Sequence, residues 1–241
     1  VTTVRILDNN QIWLITENDG AIRVSTDPQT HELTTTLYSL QSALFPSMIL
    51  HDICVDKTGN EWLLSDNGIG MIASDSVEPI LYFTDTQSSK NRQRQTFYCM
   101  SEGNNELYFG SQKGRVWLFN KENQNFRLLE LDTDADVISI NPCTDNQLIL
   151  ATRTDGFFMY NSETDEKIHF NTSNNRLLPG NQVRSVYVDS HKEVWLDLAD
   201  AAGVTHFNPV SKTFKQEILQ VEEGSAYRSQ PDFFIFEDLN G

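Results

Sequence analysis

Short apolar segments recur along the whole chain in one fixed order. An alternating apolar segment ends at an acidic residue or a turn, and a second short segment, often centred on an aromatic residue, follows it. A glycine then begins a third segment. The fifth copy shows this order most clearly, in residues 183–189, 194–196 and 203–209. Alternation over such short stretches, bounded by Asn, Asp and Gly, predicts β-strands.

The segments repeat with a regular period. The central residues of the second segments are Trp13, Trp62, Tyr108, Ile149 and Trp195, which are 49, 46, 41 and 46 positions apart. A weaker fourth segment follows in three copies, at residues 126–129, 167–170 and 213–215. One four-stranded antiparallel sheet in each 40 to 50 residues is typical of a β-propeller blade. We therefore predict an all-β fold of β-propeller blades.

The repeats divide the chain into five blades and one additional strand. They occupy about residues 1–48, 49–93, 94–134, 135–180 and 181–230, and residues 231–241 resemble the first strand of a next repeat. Five blades and a lone strand would leave strand edges open, which proteins avoid. We therefore expect residues 1–241 to be one partial domain of a propeller with about six or seven blades. The nearest helix candidate, residues 38–50, is interrupted by Pro46.

Two copies of the repeat carry a more specific pattern. Residues 178–183 read LPGNQV and lead to Asp189, Trp195 and the third segment at 203–209, while residues 56–63 read DKTGNEWL. The pattern resembles the two-component regulator propeller repeat, in which Asp-x-x-Gly precedes Trp-Ile-Gly-Thr, Gly-Gly-Leu and Asp-Pro. Other copies depart from it further. The fifth copy itself departs at the Gly-Thr step, where residues 197–198 are Asp-Leu, and such drift is tolerable where a position only packs between blades. The resemblance covers nearly the whole chain, and its motif is structural rather than catalytic.

The resemblance implies a function in sensing. In this family, tandem propellers form the periplasmic sensor region of a membrane histidine kinase, often a hybrid kinase that responds to glycans. The resemblance thus implies a periplasmic, extracytoplasmic module that recognises a small molecule or oligosaccharide and has no catalytic activity of its own. Its other partners would be further blades and domains of the same polypeptide, and the full receptor would be a homodimer.

Charge and hydropathy exclude several other classes. The chain has 18 basic and 34 acidic side chains, a formal charge of −16, and no long basic cluster. Nucleic-acid binding depends on Lys and Arg, so we expect none here. No stretch approaches the roughly 20 apolar residues of a membrane span, so we expect no membrane insertion by this segment. The three cysteines are far apart, and we expect them to be buried thiols.

Acidic residues recur at one phase of the repeat, after the first segment. They are Asp8, Asp56, Glu102, Asp189 and Asp238. A glycosidase needs two carboxylates in different environments rather than one in each blade, so we interpret these acids as turn residues. We identify no catalytic residue, no metal ligand and no cofactor site.

Residues 132–136 alternate acids like the start of a calcium loop. Val137 and Cys143 stand where an EF-hand loop needs Gly and an acid. We expect a solvated loop here, and a weak cation site is the alternative.

The best candidates for binding lie where the repeats differ most. These are the segments that lead into the first strand of each blade, which reach one rim of the channel in propellers. Sugars are held by aromatic faces and by Arg, Gln and His side chains. We therefore nominate His51, Gln95, Tyr98 and Arg184 as ligand-binding residues. The alternative is that they are ordinary polar loop residues.

Two other functions fit a propeller. A scaffold for protein partners would expose an extensive apolar patch on one rim. A propeller enzyme that acts on glycans would need an asymmetric carboxylate pair or a His, Arg and metal cluster, which the sequence does not show. A sensor is the reading that we favour.

Overall fold

The computed structural model describes residues 3–6, 12–16, 20–27, 29–39, 47, 49–76, 79–83, 95–144, 146–218 and 237. The described residues form twenty β-strands and no helix. None of them forms a helix that is long and apolar enough to cross a membrane. The chain divides into two compact units, Val1–Cys99 and Met100–Gly241.

The strands form five four-stranded sheets, each antiparallel and each with its strands in chain order. The first sheet consists of β1 (Thr3–Ile6), β2 (Ile12–Ile15), β3 (Ala21–Thr26) and β4 (Leu33–Tyr38). The second consists of β5 (Leu50–Val55), β6 (Glu61–Ser65), β7 (Gly68–Ile72) and β8 (Pro79–Tyr82). The third consists of β9 (Phe97–Glu102), β10 (Glu106–Ser111), β11 (Arg115–Asn120) and β12 (Phe126–Glu130). The fourth consists of β13 (Val137–Thr144), β14 (Gln147–Thr152), β15 (Phe157–Asn161) and β16 (Lys167–Phe170). The fifth consists of β17 (Val183–Val188), β18 (Val194–Leu198), β19 (Val204–Asn208) and β20 (Thr213–Glu217).

This architecture confirms the predicted fold class, all-β with four-stranded antiparallel blades of the β-propeller type. Each sheet lies within one of the predicted repeats. The sequence did not predict β4 and β8, and the structure adds them. The additional strand at 231–241 lies outside the described residues except for Glu237, and most of the helix candidate at 38–50 does as well.

Within each unit, neighbouring sheets pack through opposite faces and form a core. In the first unit, Trp13 and Ile15 of β2 pack in one cluster with Ile53 and Leu63 of the second sheet. We call the face that carries Trp13 and Ile15 the forward face, and the face that carries Leu63 the backward face. In the second unit, the forward face of the fourth sheet, with Ile149 and Ala151, packs in the same way with Val194, Leu196 and Leu198 of the fifth. Trp13 and Ile149, at the centres of their second strands, are therefore packing residues.

A glycine after the second strand joins neighbouring sheets. The Gly68 amide donates a hydrogen bond to the Gln95 carbonyl at 3.0 Å, and the Gly156 amide donates to the Asn181 carbonyl at 2.9 Å. Both acceptors stand two residues before the first strand of the next sheet. Gly156 has a φ of 65°, and a Cβ there would lie 2.1 Å from the Phe170 carbonyl oxygen. Only glycine therefore fits this turn, because both its backbone conformation and the available space exclude a side chain.

Candidate functional site

Three of the four nominated residues occupy one position of the repeat. His51, Tyr98 and Arg184 are each the second residue of the first strand of a sheet, and Ile138 is their counterpart in the fourth sheet. They are strand residues and not loop residues, which corrects the sequence interpretation. We call this the second-residue position.

A β-bulge marks the second-residue position. In the second sheet, Leu50 pairs with Ser65 and Asp52 with Leu64, so that His51 has no partner in the register. In the fifth sheet the same shift leaves Arg184 between the pairs of Val183 and Ser185. A bulge adds one residue to a strand and redirects its side chain. The fold therefore places His51 and Arg184 outside the regular alternation of their strands.

In the first unit, the structure brings His51 and Tyr98 together. Their rings are 5.0 Å apart between centroids, at an interplanar angle of 55°, and both side chains are half-buried. Gln95 precedes Tyr98 by three residues, and it is itself buried, with its carbonyl held by Gly68. These three nominated residues therefore belong to one corner of the first unit.

Asp66 lies in the same corner and was not predicted. Its amide donates to the Ile49 carbonyl at 3.3 Å, and its carbonyl accepts a hydrogen bond from the Thr96 hydroxyl at 3.4 Å. Its carboxylate oxygen Oδ1 is buried, and no donor among the described residues reaches it. A buried acceptor of this kind is normally satisfied by a hydrogen bond. Asp66 therefore adds a buried acceptor to the corner, where its backbone contacts Ile49 and Thr96. Its only signal in the sequence is an acid in a turn after a second strand.

Arg184 belongs to the second unit, where a buried acid holds it. Its Nε donates to Asp197 Oδ2 at 2.9 Å and its Nη2 donates to Asp197 Oδ1 at 2.8 Å. Asp197 is only 1% exposed, whereas the Arg184 side chain is 24% exposed. A bidentate pair fixes the plane of a guanidinium group, and the exposed part of the group then points in one direction. The signal for this pair in the sequence is the departure from Gly-Thr at 197–198.

The acidic segment before the fourth sheet is tied into its surroundings. Asp136 Oδ1 accepts a hydrogen bond from the Lys113 amide at 3.3 Å, and its Oδ2 lies 3.7 Å from Arg153 Nε. The Thr133 hydroxyl donates to Asp155 Oδ2 at 2.8 Å. The expected solvated loop is therefore partly ordered by neighbouring turns.

The remaining acids of this segment line a polar cleft. Asp132 and Asp134 border a cleft of about 610 Å³, whose other charged groups include Lys113, Arg115 and Lys167. Basic groups thus accompany the acids, so that a cation would meet repulsion as well as attraction. Within the described part of the chain, no three His, Cys, Asp or Glu side chains are grouped so that they could hold a metal ion.

Two of the recurring acids are turn residues, as predicted. Asp56 accepts a hydrogen bond from the Trp62 indole at 2.9 Å, and Asp189 accepts one from the Trp195 indole at 2.8 Å. Burial raises the pKa of Asp56, but hydrogen bonds from Thr58, Trp62 and Asn60 outweigh it and leave the pKa below its ordinary value. Neither acid is therefore poised for proton transfer near neutral pH. Asp8 and Asp238 lie outside the described residues.

Glu102 and the cysteines have structural surroundings as well. Glu102 ends β9 and pairs with Lys121. Cys99 and Cys143 are buried as predicted. Cys54 is only half-buried, which differs from the prediction. Burial raises the pKa of the Cys143 thiol, which keeps it protonated and unreactive.

No family model and no curated protein matches the chain. Solved structures do match. An extracellular domain assigned to a hybrid two-component system of B. thetaiotaomicron has a TM-score of 0.67 at 15% identity, with 88% of this chain and 29% of that one covered. A second such domain from the same organism has a TM-score of 0.67 at 17% identity, with 86% and 27% covered. Virginiamycin B lyase from Staphylococcus aureus has a TM-score of 0.68 at 14% identity, with 91% and 70% covered.

These similarities establish the fold and leave the activity open. The chain spans less than a third of the extracellular domains that it matches. An extracellular domain of a two-component system and a lyase share the architecture, so the fold alone does not determine the activity. An argument about function therefore has to rest on particular side chains, such as those at the second-residue position. The chain has a fold of β-propeller blades and is similar in fold to extracellular domains of two-component systems.

Proposed function

We propose that this chain is the ligand-recognition part of an extracytoplasmic sensor region of a two-component histidine kinase. The observation that carries the proposal is the second-residue position. It holds three different polar side chains, His51, Tyr98 and Arg184, at equivalent places of three sheets, and Ile138 in the fourth. A position that only packs carries similar apolar side chains in every sheet. A position that binds a ligand carries different side chains in different sheets, because each one contacts a different part of the ligand.

The proposed ligand is a small polar molecule, with an oligosaccharide as the expected class. In the first unit, the rings of His51 and Tyr98 offer faces for stacking, and Asp66 Oδ1 is a buried acceptor in the same corner. In the second unit, Arg184 offers a positive charge whose orientation Asp197 fixes. The resemblance to glycan-sensing kinases supports this class. Gln95 contributes to the same corner through its position next to the turn at Gly68.

The proposal also includes location and assembly. The chain lies on the periplasmic side of the membrane, carries no catalytic activity and no cofactor of its own, and works with further blades of the same polypeptide in a homodimeric receptor. Ligand binding shifts the population between two arrangements of the receptor. The fold similarity to extracellular domains of two-component systems supports the location.

Calorimetry of the complete sensor region against a panel of oligosaccharides tests the proposal. For a ligand that binds, Arg184→Lys is expected to weaken the affinity about tenfold or more, because an ammonium group cannot reproduce the bidentate geometry with Asp197. Arg115→Lys is the matched control, since Arg115 is about as exposed as Arg184 and its pair with the exposed Glu130 is long, at 3.8 Å. Absence of any binder in the panel, or equal affinities for the two variants, would contradict the proposal.

A further inference from the structure

The outermost strand of the first sheet has an edge unlike those of the other four sheets. The sheet ends at β4, so that one edge of this strand pairs with no strand among the described residues. Such an edge offers backbone donors and acceptors to another chain, and proteins usually protect it with charged residues or proline. In the other sheets β8 begins with a proline, and β12, β16 and β20 carry charged side chains. The strand β4 reads LTTTLY and carries neither protection.

The side chains of β4 suit this edge to pairing. Leu33 is 68% exposed, Leu37 is 57% exposed, and the three threonines between them are exposed as well. Threonine is favoured in strands because its branched side chain fits the pleated surface. The edge therefore combines an open backbone with strand-forming side chains.

The hydrogen-bond pattern shows which residues of β4 direct their backbone groups outward. The Asp27 amide donates to the Glu32 carbonyl at 2.9 Å, and this pair continues the ladder between β3 and β4. Bonded and unbonded pairs alternate in an antiparallel ladder, so the even-numbered residues of β4 bond to β3. The odd-numbered residues Leu33, Thr35 and Leu37 therefore direct their amides and carbonyls to the open edge.

The sequence of this edge is its own antiparallel complement. Residues 33–37 read LTTTL in both directions. When two such strands pair with Thr35 opposite Thr35, each Leu33 lies opposite a Leu37, and threonines lie opposite threonines between them. Threonine pairs across strands are favourable, and opposed leucines remove apolar surface from water. Because Thr35 directs its backbone groups outward, the register that matches the side chains also matches the donors and acceptors.

We propose that the open edge of β4 pairs with the same edge of a second copy of this chain, in antiparallel orientation and with Thr35 on the two-fold axis. The interface is isologous, since both copies contribute the same surface. It rests on the homodimer of the proposed function and assigns the surface through which the two copies meet.

Charge permits this pairing at the edge itself. The formal charge of −16 on each copy opposes association at long range. Within the paired strands, however, no two like charges lie opposite each other, because the nearest charged residue, Glu32, lies opposite Tyr38 of the second copy. The dimer should therefore tighten as salt screens the net charge.

Cross-linking at Thr35 tests the interface directly. Thr35→Cys is made in the complete sensor region in a Cys54→Ser background, because the native Cys54 is half-buried. A short bismaleimide should join two copies at least about tenfold more efficiently than in the control, because opposed residues of a strand pair are only about 5 Å apart. The matched control is Thr213→Cys, since Thr213 is exposed on β20, the outermost strand of the fifth sheet.

Thr35→Lys tests the same axis without a cross-linker. It places two like charges opposite each other and should raise the dissociation constant of the dimer at least about tenfold in sedimentation equilibrium, although it lowers the net charge of each copy. Thr213→Lys adds the same charge to β20 and should not raise the dissociation constant.

Each other outcome overturns the proposal. A Thr35→Cys thiol that reacts with a simple maleimide but joins no copies shows an unpaired edge, and a thiol that does not react shows an edge covered by other residues of the polypeptide. A product joined to a different protein in a cell extract identifies another occupant, and a dimer that Thr35→Lys leaves intact uses another surface. A monomeric sensor region that binds an oligosaccharide would refute this interface and leave the recognition site standing.

Discussion

The side chain of Asp56 organises the turn between β5 and β6 through hydrogen bonds. Its carboxylate accepts five hydrogen bonds, from the Thr58 amide and hydroxyl, the Asn60 amide and side-chain nitrogen, and the Trp62 indole, at 2.6 to 2.9 Å. Asp56 is 6% exposed and Trp62 is buried, so that water does not readily replace the carboxylate at the indole.

Asp56→Ala is expected to lower the free energy of unfolding by about 2–4 kcal/mol. Leaving the buried Trp62 indole N–H without an acceptor costs about 1–3 kcal/mol. The loss of charge-assisted bonds to the turn adds about 1 kcal/mol, because water reaches the half-exposed amides of Thr58 and Asn60. Asp189→Ala should cost about half as much, since Trp195 is only half-buried and keeps access to water.

The effect of Asp56→Ala depends on pH in a defined direction. The folded-state pKa of Asp56 is lowered, so its stabilisation is present above the unfolded pKa of about 3.9 and is lost as the pH falls through the folded pKa. The difference in stability between the wild type and Asp56→Ala should be constant from about pH 7 to pH 5 and should shrink below about pH 4.

Urea unfolding followed by circular dichroism measures these differences. Asp56→Asn is the control, because an amide keeps one acceptor oxygen but directs an N–H donor at part of the turn. The free energy of unfolding of Asp56→Asn should lie between those of the wild type and Asp56→Ala. A change in stability below about 0.5 kcal/mol for Asp56→Ala would refute the account of this turn.

Three further substitutions test a tight turn and a buried charge. Gly156→Ala should destabilise the fold by at least about 2 kcal/mol in the same assay, because φ is 65° and the new Cβ would lie 2.1 Å from a carbonyl oxygen. Gly59→Ala, where φ is also positive but the nearest atom is 3.3 Å away, should cost only about 1 kcal/mol, and equal losses would exclude the steric contribution. Burial raises the pKa of Glu61 despite Arg23 at 3.2 Å, so that its contribution to stability is greatest below the unfolded pKa and is lost as the pH rises through the folded pKa. The stability of the wild type relative to Glu61→Gln should therefore increase as the pH falls from 7 to about 4, and a decrease would contradict the assignment.

The sequence predicts most of the strands because their alternation is visible. The predicted fourth segment at 167–170 coincides with β16. In the fifth sheet, the segments predicted from residues 194 and 203 correspond to β18, which begins at Val194, and β19, which begins at Val204. The pattern fails at β4, whose first five residues are all exposed. A strand whose residues are exposed on both faces shows no apolar and polar alternation. β8 begins with a proline, which is uncommon inside strands.

The candidate site was less predictable than the fold. Hydrophobic periodicity finds which residues face a core, but one extra residue in a strand changes the direction of a side chain without changing the composition. The bulges at His51 and Arg184 were therefore invisible, although the residues themselves were nominated. For Asp197, the sequence shows a departure from the repeat pattern, but it does not show that Arg184 on the neighbouring strand is the partner of Asp197.

The most direct test of the account is amide hydrogen exchange of the complete sensor region with and without a bound oligosaccharide. We predict that ligand increases protection at the start of β5, β9 and β17, around His51, Tyr98 and Arg184, and leaves the fourth strands of the same sheets unchanged. Protection that is confined to other parts of the chain, or a bound ligand that leaves these three strands unchanged, would contradict the claim that the second-residue position recognises the ligand.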